Sequence, residues 1–286
     1  MVVEIKALAC ARPADLGLPL ARLSVAEIAR VAVARDIVEA ISVTTVWRWL
    51  SEDALKPWRY RSWIFPRDPD FECKAGPILD LYAGRWQGEQ LRPDEHVVCA
   101  DEKTSIQARA RIHPGSAPGP GRIHRVEHEY ERRGALAYLA AWDVHRAQVF
   151  GRCEPSTGIA PFGRLVEQVM TQEPYASARR VFWVVDNGSS HRGAACEGRL
   201  RERWPTITVV HTPVHASWLN QVEIFFSVVQ RKVLDPAEWP SLVALEAALL
   251  AFGDRYSAIA TPFEWRFTRL DLHRVLAALS PVALAA

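Results

Sequence analysis

The chain is 286 residues long and 49% hydrophobic, which allows one large α/β domain with a small appendage and excludes a disordered protein. Its formal net charge of +2 identifies no polyanionic partner unless basic residues cluster locally. No apolar run reaches the ~18 residues that cross a bilayer, and the N-terminus lacks the ordered segments of a signal peptide, so a cytoplasmic location is expected.

The first predicted elements lie in "LSVAEIARVAVARDIVEAISVTTVWRWL". Ser24 and Glu27 have the spacing of a capping box, in which the serine accepts the N–H three residues on and the glutamate reaches back, so a helix is expected from about 25 to 35. Ser42, flanked by Ile41 and Val46 as a hydrophobic staple, opens a second helix through about Leu50. Val43, Val46 and Leu50 then face inward, and Thr44, Thr45 and Arg48 outward. Two short helices with a hydroxyl-rich, basic outer face suit a helix-turn-helix DNA reader, and also an ordinary helical hairpin. The following "KPWRYRSWIFPRD" interleaves Lys56, Arg59, Arg61 and Arg67 with aromatic rings. That pattern fits phosphates and stacked bases, or a linker of snorkelling cations.

Past Asp70 a helix is predicted to about Trp86, interrupted at Gly76-Pro77. A short β-rich run, Val97 to Ala100, ends in Asp101-Glu102, and "HPGSAPGPGR", residues 113 to 122, must be a loop. "ALAYLAAWDVHRAQVFGRCE" reads as two strands about a turn near Asp143 to Gln148. A helix over about 161 to 173 precedes a strand that runs from Val181 to Val185 and stops at Asp186-Asn187-Gly188. Then come a helix over "HRGAACEGRLRERW", a short strand in "TITVVHTP", one long helix over "SWLNQVEIFFSVVQRKVL" and a last helix over "SLVALEAALLAFGDRY". The alternation is that of an α/β sheet with a few antiparallel members.

Two of these strands end in acid. Side chains at the carboxyl ends of neighbouring strands converge on one crevice, so Asp101 and Asp186 can approach each other if their strands are adjacent. On the long helix, Trp218, Leu219, Val222, Phe225, Phe226, Val229 and Val233 form one apolar stripe, with Glu223 at its edge, about 100° from the centre. Unit charges 4 Å apart repel by about 4 kcal/mol at an effective dielectric of 20, so three carboxylates together need raised pKa values or a cation. The five cysteines are odd in number and never spaced C-x-x-C, so they read as free thiols. Without a cysteine or histidine pair nearby, carboxylate oxygens favour Mg²⁺ or Mn²⁺, and two such ions suit in-line displacement at phosphorus. Each acid also has a plain structural reading: Asp186 opens a turn, Asp101 ends a strand, Glu223 pairs on its own helix.

"VVCADEKTSIQARAR", "VVDNGSSHRG" and "HTPVHASWLNQVEIFFS", in that order, resemble the three acidic blocks of DDE transposases of the insertion sequence 630 family, in the Tc and mariner superfamily. "LKPWRYRSWIFPRDPDFECKA" and "LAAWDVHRAQVFGRCEP" extend the likeness over most of residues 40 to 265. The resemblance implies an RNase H-like mixed sheet flanked by helices, with a small N-terminal helix-turn-helix-like region. It divides the chain into a partial DNA-binding region and basic linker (1–70), a connecting helix (71–94), the catalytic domain (95–260) and a helical tail (261–286). Asp101 and Asp186 are expected to hold two Mg²⁺ or Mn²⁺ ions, with Asp101 shared and Glu223 completing one site. Asn187, His191 and Asn220 are assigned supporting or DNA-backbone contacts, and Thr44, Thr45, Arg48, Lys56, Arg59 and Arg61 are the DNA-binding candidates. The implied reaction is DNA cleavage at element ends followed by strand transfer from a 3′ hydroxyl, by at least a homodimer on inverted repeats and target DNA in the bacterial nucleoid. Family members carry tandem helix-turn-helix modules of which only the second has a counterpart here, so the first is expected to be missing. A competing reading is a relic that binds DNA without cutting it. A hydrolase built on Ser190 or His191 lacks the G-x-S-x-G elbow it would need.

Overall fold

A computed structural model of the chain describes residues 1–59, 68–188, 193–236 and 238–283, which fall into two units, Met1–Phe65 and Pro66–Ala286. In the first unit, α1 (Val2–Cys10), α2 (Val25–Ala34) and α3 (Val43–Glu52) enclose a core of Ile5, Leu8, Leu23, Ile28, Ala32, Val46 and Leu50. Complete burial of a side chain such as Val46 or Leu50 contributes roughly 1.5–3 kcal/mol. Ser24 accepts from Glu27 N at 3.2 Å and Ser42 from Thr45 N at 3.0 Å, so both helices start where their caps predict. The reciprocal half of the first cap does not form, because the Glu27 carboxylate pairs with Arg30 instead. Val43 is 48% exposed rather than inward, since as the first helical residue it stands past the edge of the core. No local pattern announces α1, whose buried residues, Ile5, Leu8 and Ala9, cover one side of that core.

The second unit begins with α4 (Phe71–Tyr82), which continues through Pro77 and stops four residues short of the expected end. Residues 85–86 and 89–90 form instead a two-strand hairpin, β1 and β2. The main sheet comprises β3 (Glu95–Arg111), β4 (Tyr130–Asp143), β5 (Gln148–Glu154), β6 (Arg180–Val185) and β7 (Ile207–His211), in the order β5-β4-β3-β6-β7. The first three strands are antiparallel neighbours, and β6 and β7 run parallel to β3. This is the mixed sheet flanked by helices that the resemblance implies.

β3 is far longer than the apolar run Val97 to Ala100. Its polar extension pairs with β4 as far as Arg111, with irregularities between Lys103 and Ile106 and between Gln107 and Arg109, near Ser105 at φ +57° and Gly134 at φ +99°. The remaining helices are α5 (Ile159–Met170), α6 (Gly193–Arg203), α7 (Val222–Val229), α8 (Leu242–Ile259) and α9 (Arg269–Ala283). On one sheet face Val98, Ala100, Val181, Trp183 and Val185 pack with α5 and α6. On the other, Val97, Cys99, Phe182 and Val184 pack with α4, α7 and α8. The period of two along each strand is what divides the core this way. Among the described residues no helix is long and apolar enough to cross a membrane. All five cysteines are free.

Candidate active site

Cys99 pairs with Val184 in the parallel ladder, so Asp101, two residues further on β3, and Asp186, the residue just past the end of β6, come to neighbouring positions at the sheet's carboxyl edge. Adjacent strands lie about 4.8 Å apart. Asp101 shares the alternation of Val97 and Cys99, and Asp186 that of Phe182 and Val184, so both aspartates emerge on the face covered by α7.

Glu223 is coupled electrostatically to Asp101 and Asp186, and its helix is fastened to the sheet ahead of it. The long helix expected over 217 to 234 is broken: a 3-10 turn, Ser217–Leu219, precedes α7, and a π turn, Gln230–Leu234, follows it. At the first break three consecutive residues are tethered. Tyr82 Oη donates to Leu219 O at 2.6 Å, Asn220 Nδ2 to Ala100 O at 2.9 Å, and Trp142 Nε1 to Gln221 Oε1 at 3.3 Å. Asn220 therefore links the residue before Asp101 to the turn that presents Glu223, whose own N–H donates to Asn220 O at 3.1 Å. The Asn220 side chain is fully buried and, among the described residues, its Oδ1 has no hydrogen-bond partner.

Burial and like charge dominate the electrostatics of this edge. Asp101 is 8% exposed, and burial together with the negative charge of Asp186 pushes its pKa up to about 8. The one hydrogen bond it accepts among the described residues, from Glu102 N at 2.7 Å, opposes that shift. Burial also raises the Glu223 pKa, against the lowering effect of Lys103 and with a further push from Asp186. Asp143 makes the contrast. It too is buried at a strand end, but it accepts from His145 N, Arg146 N and Tyr175 Oη at 2.7–3.0 Å and serves the β4–β5 turn. Among the described residues no three His, Cys, Asp or Glu side chains are grouped so that they could hold a metal ion.

Asp186 opens the turn its sequence suggested: its Oδ1 accepts from Gly188 N at 2.6 Å. Asn187 Nδ2 donates to Thr212 O at 2.7 Å and joins the ends of β6 and β7. A cleft of ≈ 330 Å³ beside Asp186 is completed by the turn from Thr212 to Ser217, held by Val214 N donating to Asp68 at 3.0 Å. His191 and Arg61 lie outside the described residues. In the first unit Thr44, Arg48, Lys56 and Arg59 are exposed, whereas Thr45 Oγ1 is 2.8 Å from Ser42 Oγ and belongs to the helix cap.

The sequence reading missed Lys103, Tyr82 and Asp68. Lys103 was findable, since two residues past Asp101 on a strand is the same face. Tyr82 and the Asp68–Lys74 ion pair act on segments more than 130 residues away, and no local pattern announces that.

The family described as DDE superfamily endonuclease has a model that matches residues 96–246, which contain all three acids. No curated protein matches the chain. Among solved structures, the mariner Mos1 paired-end complex with Mg is 16% identical over 97% of this chain and 78% of its own, with a TM-score of 0.57. A pre-cleavage Mos1 transpososome is 15% identical over 97% and 78%, with a TM-score of 0.56. A Mos1 transposase paired-end complex with left transposon end is 14% identical over 92% and 72%, with a TM-score of 0.54. At such identities the likeness is one of fold, and the fold shared is RNase H-like.

Proposed function

The chain belongs to the DDE superfamily endonuclease family, and from that premise we propose that it is a transposase that cuts DNA at the ends of an insertion sequence and joins them to target DNA. The observation that supports this reading is the parallel register of β3 and β6, which sets Asp101 and Asp186 at neighbouring positions, together with the electrostatic coupling of both to Glu223. The donor set fits Mg²⁺ or Mn²⁺: three hard carboxylates, one held near pKa 8 by burial and like charge, beside an orphaned buried amide oxygen. Asp101 and Asp186 would hold two ions, Asp101 shared, with Glu223 completing one site. When bound, the ions would activate an attacking oxygen and neutralise charge on the leaving one. The Mos1 complex with Mg, similar in fold, supports that choice.

The chain's own residues supply position. Asn220 fixes Glu223 relative to β3, and Asn187 fixes the strand end that bears Asp186. His191 is assigned a DNA-backbone contact. Residues 95–260 form the catalytic domain, with residues 71–94 as its lead-in and 261–286 as its helical tail. In residues 1–70 the exposed Thr44, Arg48, Lys56 and Arg59, with Thr45 and Arg61, contact duplex DNA. Bringing two element ends together requires at least a homodimer on the inverted repeats, in the bacterial nucleoid and in the manner of the insertion sequence 630 family.

The test is nicking of supercoiled DNA by the full chain with Mn²⁺, with Mg²⁺ and with chelator, beside Asp186→Asn. Metal-dependent nicking that the substitution abolishes supports the enzyme. DNA binding with no nicking by either protein favours the non-cutting relic.

A further inference from the structure

The second cleft near the acids has a different chemistry. It encloses ≈ 320 Å³ and is lined by Lys103, Thr104, Ser105, Gln107, Arg109 and Gln230, with Ile106, Leu234 and Asp235. It opens two residues beyond Asp101, about 7 Å along β3, and so continues directly from the proposed cutting site. Two cations and four neutral hydrogen-bonding side chains face one carboxylate, a balance that favours an anion.

The backbone is shaped for it. Between Lys103 and Ile106 the β3–β4 register slips, and Ser105 takes φ +57°, a left-handed conformation that a non-glycine residue adopts at a cost of about 1–3 kcal/mol. Such bulges interrupt pairing and re-aim side chains, often beside active sites. Here the slip leaves Thr104 and Ser105 exposed at the cleft. Arg109 holds its guanidinium carbon 4.9 Å from the Tyr130 ring centre, which orients the cation while leaving its in-plane N–H groups free to donate. Among the described residues neither Lys103 nor Arg109 takes part in an ion pair, whereas Arg152 and Arg164 on the same unit are both taken up by Glu154.

We propose that this cleft holds the sugar–phosphate backbone of the strand being cut, beginning one phosphate from the scissile bond, with Lys103 and Arg109 as its phosphate contacts. The proposal rests on the reading of the chain as a DNA-cutting enzyme and adds the path by which the strand leaves the acids. Asp235, at the rim, would keep the strand toward the Lys103 end.

The test is the salt dependence of binding by the full chain to a short fluorescent DNA duplex in chelator. Each lost phosphate contact lowers the slope of log affinity against log salt by about 0.9. The pair Lys103→Gln with Arg109→Gln should lower it by about 1.8, so that affinity falls about twelvefold less between 50 and 200 mM salt. The charge-keeping pair Lys103→Arg with Arg109→Lys should retain the slope, which separates lost contacts from misfolding. Arg199→Gln with Arg203→Gln, on α6 across the sheet, should also retain it. An unchanged slope in the first pair, or an equal fall in the α6 pair, overturns the proposal. Nicking by the unaltered chain is scored separately. Nicking with an unchanged slope removes the cleft alone, and a lowered slope without nicking keeps the cleft as a DNA site while removing the enzyme.

Discussion

Replacing Asp101 by asparagine should make the protein more stable in the absence of metal, and the gain should grow with pH. Asparagine keeps the shape and removes the charge from a site where Asp186 and burial oppose it. The aspartate pKa rises from 3.8 when exposed to about 8 in the folded chain. Between those values the native state binds the proton that the unfolded state has lost, so stability is fullest below about pH 3.8 and drains away as pH climbs to about 8. At about 1.4 kcal/mol per pKa unit the ceiling at pH 7 is roughly 4 kcal/mol. Because Asp186 remains, and asparagine must find its own partners, about 2 kcal/mol is the expected gain, or roughly 4–8 °C in a unit of this size. Thermal unfolding from pH 4.5 to 8.5 in chelator measures it. The advantage should be small at the acid end and level off near pH 8, and Mn²⁺ should stabilise the natural chain more than the variant. A variant less stable than the natural chain at pH 7.5, or an advantage that shrinks as pH rises, would refute the idea that this carboxylate is held against its own charge.

Asn220→Ala strands the Ala100 carbonyl and should cost about 1–3 kcal/mol in denaturant unfolding, with nicking falling more steeply than DNA affinity. Among the described residues Tyr138 Oη is buried without a partner, so Tyr138→Phe should be neutral or stabilising by up to about 1 kcal/mol in the same assay. Gly151→Ala would drive its Cβ into that hydroxyl and should destabilise by about 1–3 kcal/mol, less when combined with Tyr138→Phe. Arg164 first, and then Arg152, lower the Glu154 pKa to about 2, so its stabilisation is present above about 4.5 and lost toward pH 2. Glu154→Gln should therefore cost about 1–2 kcal/mol at pH 7, and the difference should close on acidification.

The legible parts of this molecule were those decided by nearest neighbours. Ser24 and Ser42 announced their helices because a serine side chain needs only the N–H three residues on. The apolar run from Leu136 to Trp142 announced the inner part of β4 with the turn that follows, because that stretch is buried residue after residue. The third acid was placed by a helical stripe that is correct from Leu219 onward, although Trp218 is 45% exposed against Phe267 rather than inside. The stripe could not show the break at Asn220 and Gln221. Both amides bond to the sheet, and the tertiary partners override a helix that the local sequence would allow. The polar half of β3 was equally hidden, because its strand character comes from pairing with β4 rather than from its own composition. Resemblance supplied the order of the acids; the register of β3 against β6 supplied the neighbouring positions of Asp101 and Asp186.

The three tethers at Leu219, Asn220 and Gln221 have a consequence for how this enzyme can vary. Glu223 takes its location from bonds made upstream, so the distance from Asn220 is the quantity that must be kept, while the far end of α7 is free to drift. The π turn at Gln230–Leu234 shows where such drift is absorbed, since a wide turn takes up one surplus residue without disturbing what precedes it. Lengthening or shortening the chain by one residue there should be tolerated, whereas the same change between Asn220 and Glu223 should silence the protein.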